Sequence, residues 1–481
     1  MTPGQPNNET PRAAGDLNIG ISRFLGVFTR VKPHEVQLTF ALLLTVFFML
    51  TAFFIAKPAR ESWLAVSVIG DLTALEVRAT SGGLQSIVLI ALLPLYAKLY
   101  DIWSRRRLLV MVNVFFIALF PVFWLFQPGL LADEILFSGV IFYIWIGIFA
   151  VTVVAQFWTY AADLYTQDAG MRLFPLIAVG ASLGAVAGSA CAVKLIEIGV
   201  SSYDLLLFAP LPLICATLIL WRIETVDAAT GQTPKISPDT PSEDPRSAWA
   251  IVMGNRYILL IGLFVFLLNW VQTNGENILF AALQESIEAS GPMDAESRAA
   301  MTANAYARIY VWVGLIGLII QAFLVSRLLR YGGMAGMLLI PPFVALVSNG
   351  AMGGAVGSGG ALGVITIAKT AENATNASIA NTARHILWLP VAKEALYKAK
   401  TAIDTVCVRV ADGLAAITVI VGTRLLSADL KAFFTFNLVL VVLWLVVGIL
   451  IIRERKGRRK VWAERERTAT CTDPSSGASP L

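Results

Sequence analysis

Twelve runs of mostly apolar residues, each close to the length of a helix that crosses a bilayer, set the first constraint on this chain. A helix needs about 20 apolar residues to cross the hydrocarbon. The runs fall approximately at 36–57, 80–99, 107–126, 136–160, 173–196 and 203–221, and then at 257–283, 305–326, 334–350, 359–381, 402–424 and 431–452. They are continuous rather than alternating, which argues against the strands of a membrane barrel. Composition agrees: 57% of the 481 residues are hydrophobic and 14% are charged, against about 25% charged in a soluble domain. The expected fold class is an all-α membrane protein with about twelve transmembrane helices arranged as two six-helix bundles.

The division follows from the polar stretches. Residues 1–35 form a polar N-terminal segment, 36–222 a first bundle, 223–256 a linker, 257–452 a second bundle and 453–481 a tail. The linker, TVDAATGQTPKISPDTPSEDPRSA, is rich in Pro, Ser, Thr and Asp and reads as flexible. No cleavable signal opens the chain, so the first apolar run is expected to start insertion. Arg23, Arg30 and Lys32, then Lys98, Arg105, Arg106 and Arg107, then Lys235, Arg246 and Arg256, and finally the tail RERKGRRK fall on one side of a twelve-span chain. The opposite loops, such as QPGLLADE, are nearly free of Lys and Arg. By the positive-inside rule both termini are expected to be cytoplasmic, and the expected location is a bacterial-type inner (plasma) membrane.

Several function classes receive no support. Four cysteines and two histidines, His34 and His385, show no metal spacing or disulfide framework. The net charge of +5 resides beside the membrane runs, so it needs no nucleic acid to explain it. GGAVGSGGALG (353–363) lacks the Gly-Lys-Ser/Thr of a P-loop. No acid/base or nucleophile constellation is recognisable. Neither a cofactor nor a metal is expected, and the chain reads as a transporter rather than an enzyme.

Charges inside the apolar runs carry the functional signal. An ionisable group at the centre of a membrane helix costs ~2.5–3.5 kcal/mol on insertion scales, so each one is a default functional hypothesis. The candidates are Lys57, Arg60 and Glu61 at the end of the first span, Asp163 at the end of the fourth and Glu276 in the seventh. Arg308 lies in the eighth, Lys369 and Glu372 in the tenth, and Asp404, Arg409 and Asp412 in the eleventh. Some of these are expected to be structural pairs: Lys369 and Glu372, and Arg409 and Asp412, are three apart and share a helix face. Two polar interruptions accompany them, TAENATNASIANT (370–382) and NWVQTNGEN (269–277). Helix contact through small residues and a wet binding site are the competing readings of such runs.

Six spans, a linker and six spans resemble the major facilitator superfamily. The stretch YAKLYDIWSRRR resembles that superfamily's loop between spans two and three, with Asp101, Arg105 and Arg106 in the latch positions; a plain stop-transfer basic cluster is the alternative. The resemblance implies a substrate site between repeated halves near the midplane.

Two blocks go further. FWTYAADLYTQDAGMRLFPLIAVGAS (157–182) and LPVAKEALYKAKTAIDTVCVR (389–409) resemble the ATP/ADP translocases of plastids and intracellular bacteria. Phe157, Trp158, Asp163, Arg172, Phe174, Pro175, Leu176, Gly180 and Ala181 match the first pattern. Pro390, Lys398, Lys400, Ala402, Ile403, Asp404 and Arg409 match the second. The resemblance implies exchange of ATP for ADP, with Arg172, Lys398 and Lys400 contacting phosphate. Asp163 matches an acidic position, and Arg60 with Glu61 a basic–acidic pair after span one. The chain departs from the family in having Asp163 for the usual Glu, and Val391, Ala392 and Lys393 where Leu-Asp-Glu follows the Pro.

The expected function is secondary transport of a nucleotide-like anion by alternating access. Lys57, Arg60, Asp163, Arg172, Glu276, Arg308, Lys369, Glu372, Lys398, Lys400, Asp404 and Arg409 are the substrate-site candidates. Two alternatives stand beside it: a proton-coupled carrier of another organic anion, amphiphile or drug, and a non-transporting membrane scaffold. The expected partners are a small anionic solute and the lipid bilayer, with no nucleic acid, and the chain is expected to be monomeric.

Overall fold

The computed structural model describes residues 35–103, 105–131, 137–165, 167–230, 247–355, 361–388, 390–391 and 393–472. The side chains of Asp101 and Arg105, much of the linker, the middle of the glycine-rich stretch at 353–363 and the end of the tail lie outside the described residues.

Among the described residues the long elements are all helical. They are α1 (Val36–Val66), α2 (Ala74–Ile102), α3 (Arg105–Leu125), α4 (Ser138–Leu164), α5 (Gln167–Glu197) and α6 (Pro210–Thr230). There follow α7 (Arg256–Ala289) and α8, which runs from Ala295–Ile319 through a π-helical turn at Ile320–Leu324 into Val325–Tyr331. Next come α9 (Gly333–Ala355) and α10, built of Ala361–Thr375, a π turn at Asn376–Ala380 and Asn381–Leu387. α11 comprises Lys393–Ala402, Ile403–Cys407, Val408–Ile420 and Val421–Leu425, its second and fourth pieces being π turns; α12 is Leu430–Thr472. Eleven of these helices are long and apolar enough to cross a membrane. α10 is not among the eleven, because it carries Lys369, Glu372 and the amide-rich run.

The spans are longer than the apolar runs alone suggest. α1 continues nine residues past Lys57 to Val66, since Pro58 through Ala65 are all buried and keep the helix packed to its end. Lys57, Arg60 and Glu61 are therefore interior to a 31-residue helix rather than at its exit.

The chain forms two compact units. One comprises Met1–Gly70, Ala91–Asp239 and Gly291–Leu318, the other Asp71–Ile90, Thr240–Ser290 and Ile319–Leu481. The first half of α2 thus packs with the later spans, and most of α8 with the earlier ones.

In the first unit α1 is central and packs on α4, α5 and α6. Its contact with α5 is close because Gly180, Gly184 and Gly188 recur every fourth residue. A Cβ at any of them would collide with the backbone of Leu43, Phe47 or Thr51, the small-residue solution to helix packing in lipid. Thr51 donates across the seam to the Gly184 carbonyl at 3.3 Å. Rings fill the rest of this core: Trp63 lies 4.6 Å from Phe142, and Phe120 4.9 Å from Trp145. In the second unit α7 packs on α10, α11 and α12, and α9 on α10 and α12. Phe264 meets Trp444 at 5.5 Å. The buried Asn437 amide donates to Asn349 Oδ1 at 2.9 Å and to the Val271 carbonyl at 3.3 Å.

Candidate functional site

The polar interruption of α7 meets charged residues of three other helices in the second unit. Thr273 is the eighteenth of the 34 residues of α7, which at about 1.5 Å per residue puts it half-way along the span. Thr273 donates to Asp412 Oδ1 at 2.7 Å, and Arg409 pairs with Asp412 Oδ2 at 3.0 Å. One residue earlier, the Gln272 carbonyl lies 3.5 Å from Lys369 Nζ, and that ammonium binds Glu372 Oε1 at 2.9 Å. Both side chains of the Lys369–Glu372 pair are sealed, at 0% and 1% exposure. A turn further on, Glu276 accepts from Asn373 Nδ2 at 2.6 Å and faces Arg78 of α2 at 3.7 Å. Arg78 also donates to Asn277 Oδ1 at 2.9 Å and lies over the Phe280 ring.

This network holds three cations, Arg78, Lys369 and Arg409, against three carboxylates, Glu276, Glu372 and Asp412. Pairing is what makes such charges tolerable, because a single ion in hydrocarbon carries the full insertion cost. Gly275 makes the arrangement possible: a Cβ there would occupy the place of the Lys369 ammonium. Beside the pairs, Glu372 Oε2, Asn373 Oδ1, Asn274 Oδ1, Asn277 Nδ2 and Asn376 Oδ1 are buried with no hydrogen-bond partner among the described residues. Buried polar atoms of this kind are normally bonded to protein, water or ligand, so this part of α7 and α10 has capacity for a polar guest.

The remaining charges of the unit lie toward the helix ends. Arg384, near the end of α10, pairs with Asp404 of α11 at 2.9 Å. Lys398 and Lys400 are half-buried in the first turns of α11. At the other end of α11, Arg424 binds Glu76 at 2.6 Å and Asp71 at 2.7 Å. Thr423 and the Thr73 backbone amide donate to the same Glu76 carboxylate, each at 2.7 Å. The hydrogen bond from Arg424 holds the Asp71 carboxyl below its ordinary value.

The first unit keeps its charges in separate places. Lys57 lies 3.9 Å from the Tyr310 ring centroid and 5.3 Å from that of Phe54, a cation–π arrangement. Arg60 pairs with the fully buried Glu61 and lies 4.3 Å from the Tyr143 ring centroid. Asp163 is half-buried at the end of α4. Nearby, Arg172 binds Glu35 at 2.9 Å, and the Thr39 and Tyr165 hydroxyls share a 2.8 Å hydrogen bond. Burial pushes the Tyr165 phenol up to about 12. Arg308 is mostly exposed and pairs with Glu197 at 3.1 Å, which also holds Lys194 at 2.7 Å.

Of the residues singled out from sequence, the structure brings Glu276, Lys369, Glu372 and Arg409 into one network. Asp404, Lys398 and Lys400 stay at the start of α11, and Arg172 and Arg308 pair elsewhere. Sequence reasoning missed Arg78, Glu76, Arg424, Arg384 and Glu35. The signal for Arg78 is present in ALEVRATSGG: a helix extended six residues before position 80 places an arginine beside its apolar run.

No family model matches the chain, and no curated protein matches it. Solved structures do. A bacterial homologue of the iron transporter ferroportin in an inward-facing state superposes with a TM-score of 0.61 at 15% identity, over 86% of this chain and 98% of that one. An auto-inhibited POT family peptide transporter gives 0.60 at 12% identity, over 86% and 96%. A D-xylose-proton symporter gives 0.58 at 15% identity, over 86% and 97%. At these identities the likeness concerns the fold. The chain is a multi-pass, all-α membrane protein with a fold of the major facilitator type.

Proposed function

We propose that the protein is a secondary transporter that carries a nucleotide-like anion by alternating access. One observation carries the transport reading: an ionic network around the middle of α7, built from α2, α7, α10 and α11, flanked by buried polar atoms with hydrogen-bonding capacity to spare. A helix bundle that only scaffolds has no physical need to gather six charges inside its membrane helices, where each is costly. The structural neighbours include a homologue of an iron transporter, a peptide transporter and a D-xylose-proton symporter, so a fold of this type is compatible with transport and leaves the cargo to the side chains.

The anion reading rests on the basic residues of the two translocase-like blocks. Lys398 and Lys400 stand half-buried where α11 begins, and Arg172 stands near the start of α5. A nucleotide needs compensating cations that also release it, and lysines near solvent meet both conditions. The test is uptake of labelled ATP, ADP and other nucleotides into proteoliposomes, with and without nucleotide inside. Uptake stimulated by internal nucleotide supports exchange; background flux for the whole panel removes the nucleotide cargo and leaves the transporter.

A second reading has its own observation. The mid-span network is balanced, three cations against three carboxylates, so an anion entering there must displace a carboxylate from its partner. A displaced carboxylate in a dry site takes a proton, which would make the protein a proton-coupled carrier of a smaller organic anion. Uptake accelerated by an imposed pH gradient and indifferent to internal nucleotide favours this reading.

A further inference from the structure

The network around α7 and α10 leaves three polar atoms whose chemistry is fixed by the bonds beside them. Asn373 meets Glu276 at 2.6 Å, and a carboxylate only accepts, so Asn373 turns its Nδ2 to Glu276 and keeps its Oδ1 for another partner. Arg78 only donates, so Asn277 turns its Oδ1 to Arg78 at 2.9 Å and keeps its Nδ2. Glu372 engages Lys369 through Oε1 at 2.9 Å and keeps its Oε2. Asn373 Oδ1, Asn277 Nδ2 and Glu372 Oε2 are buried with no hydrogen-bond partner among the described residues. Glu372 is 1% exposed and Asn277 2%. The capacity left over is thus two acceptors on adjacent residues of α10 and one donor on α7.

We propose that these three side chains form a subsite for an uncharged amide- or amidine-type edge of the cargo, an amino group beside a carbonyl or a ring nitrogen. The two N–H bonds of that amino group go to Glu372 Oε2 and Asn373 Oδ1, and the neighbouring acceptor takes the N–H of Asn277. The proposal rests on the transport reading above and assigns which end of the cargo α7 and α10 hold.

Charge excludes the other occupants. A phosphate or carboxylate presents acceptors only, and here it would face a carboxylate oxygen and an amide oxygen. An ammonium would add a fourth cation beside Lys369, which already holds the other oxygen of Glu372. A neutral edge leaves three cations against three carboxylates undisturbed. Buried polar groups are costly to leave unpaired, so a site built to bind an N–H discriminates strongly against an analogue that lacks it. The exposed edge of the network is Glu276, with 21% of its side chain exposed, bonded to Asn373 and next in sequence to Asn277.

The experiment is calorimetric binding to the full chain in detergent, with thermal unfolding measured in parallel, using neutral probes in matched pairs. Adenosine is compared with purine riboside, which lacks the amino group, and nicotinamide with methyl nicotinate, whose ester has no N–H. In at least one pair the amino compound is expected to raise the unfolding temperature and to bind at least tenfold more tightly than its partner. A response to adenosine identifies a nucleobase edge, and a response to nicotinamide a carboxamide. Asn277→Asp keeps the acceptor for Arg78 and removes the donor, so it should weaken the responding probe about tenfold. Equal binding within both pairs, or affinity unchanged in Asn277→Asp, overturns the proposal. So does a response to none of the four probes, which would leave these atoms to water alone, and so does competition by inorganic phosphate. If the aspartate variant does not fold, the matched pairs decide on the unaltered chain. The transport reading fails on a different result, background flux in proteoliposomes while an amino probe still binds in detergent.

Discussion

Gly275 of α7 leaves the space that the Lys369 side chain of α10 occupies. A single added carbon at Gly275 would meet the lysine ammonium, and that ammonium is the one bound to Glu372 at 2.9 Å. The missing side chain on one helix and the buried cation on another are one structural feature.

Gly275→Ala is therefore expected to destabilise the protein by about 1–3 kcal/mol, the usual cost of overpacking. The loss should shrink when Lys369 is already Met, because the two changes share one space and are not additive. Thermal unfolding of the two single variants and the double variant in detergent measures this coupling. Additive losses would show that the Lys369 ammonium lies elsewhere.

Lys369→Met alone leaves Glu372 buried without its cation and should cost about 3–5 kcal/mol. Combining it with Glu372→Leu should recover most of that stability, since apolar pairs often replace buried ion pairs without loss. Proteoliposome uptake is expected to stay low in the double variant. Recovery of both fold and uptake would reduce the pair to a structural role.

Arg78→Gln removes the partner of Glu276 and the donor to Asn277 Oδ1. Hydrogen bonds to charged groups contribute about 1.5–3 kcal/mol each to stability, so the unfolding temperature should fall, and uptake should fall with it if the pair lines the transport path. Arg78→Lys should restore it only in part, because an ammonium does not reproduce the guanidinium fork that reaches both partners. Full activity in the glutamine variant would remove Arg78 from the transport path.

Asp71 gives a pH signature. Its carboxyl is held below the ordinary 3.8 by the hydrogen bond from Arg424. The folded state therefore binds the proton less readily than the unfolded chain, and the contribution is complete well above pH 3.8. It is lost as pH falls through the lower folded value. Unfolding temperature should show an acid-limb decline that is shallower in Asp71→Asn. Identical limbs in the two proteins would show that the contact is absent in solution.

Gly184→Val tests the seam between α1 and α5. The added carbon alone meets the Phe47 backbone, while at Gly350 of α9 nothing lies within 4 Å of such a carbon. The valine variant should lose several kcal/mol or fail to accumulate, in keeping with the larger overpacking penalties. Gly350→Ala should be tolerated. Equal expression and melting of both variants would mean that α1 and α5 are not in close contact.

The fold was legible because a membrane span announces itself locally: continuous apolar runs located the helices, with ends that differ by up to ten residues in α1 to α11. The ends were less clear. α1 outlasts its apolar run because Arg60, Glu61 and Ser62 are buried by packing that no local pattern displays. The site was legible where partners are neighbours in sequence, as with Lys369 and Glu372, three residues apart. It was hidden where they are not. Arg424 and Glu76 are 348 residues apart, and neither looks unusual beside its own neighbours. Gly275 was visible only as an interruption, since the reason for a glycine lies in the side chain that fills its place.

The glycine stripe of α5 has a mechanical consequence. Where Gly180, Gly184 and Gly188 rest on the carbonyls of α1, the α5 side of the contact has no side chain to absorb a slip or a fraction of a twist. Only a jump of a whole four-residue tooth would mesh again. The two helices are therefore expected to move as a single lever, with Lys57 of α1 and Arg172 of α5 on opposite sides of the glycine contact.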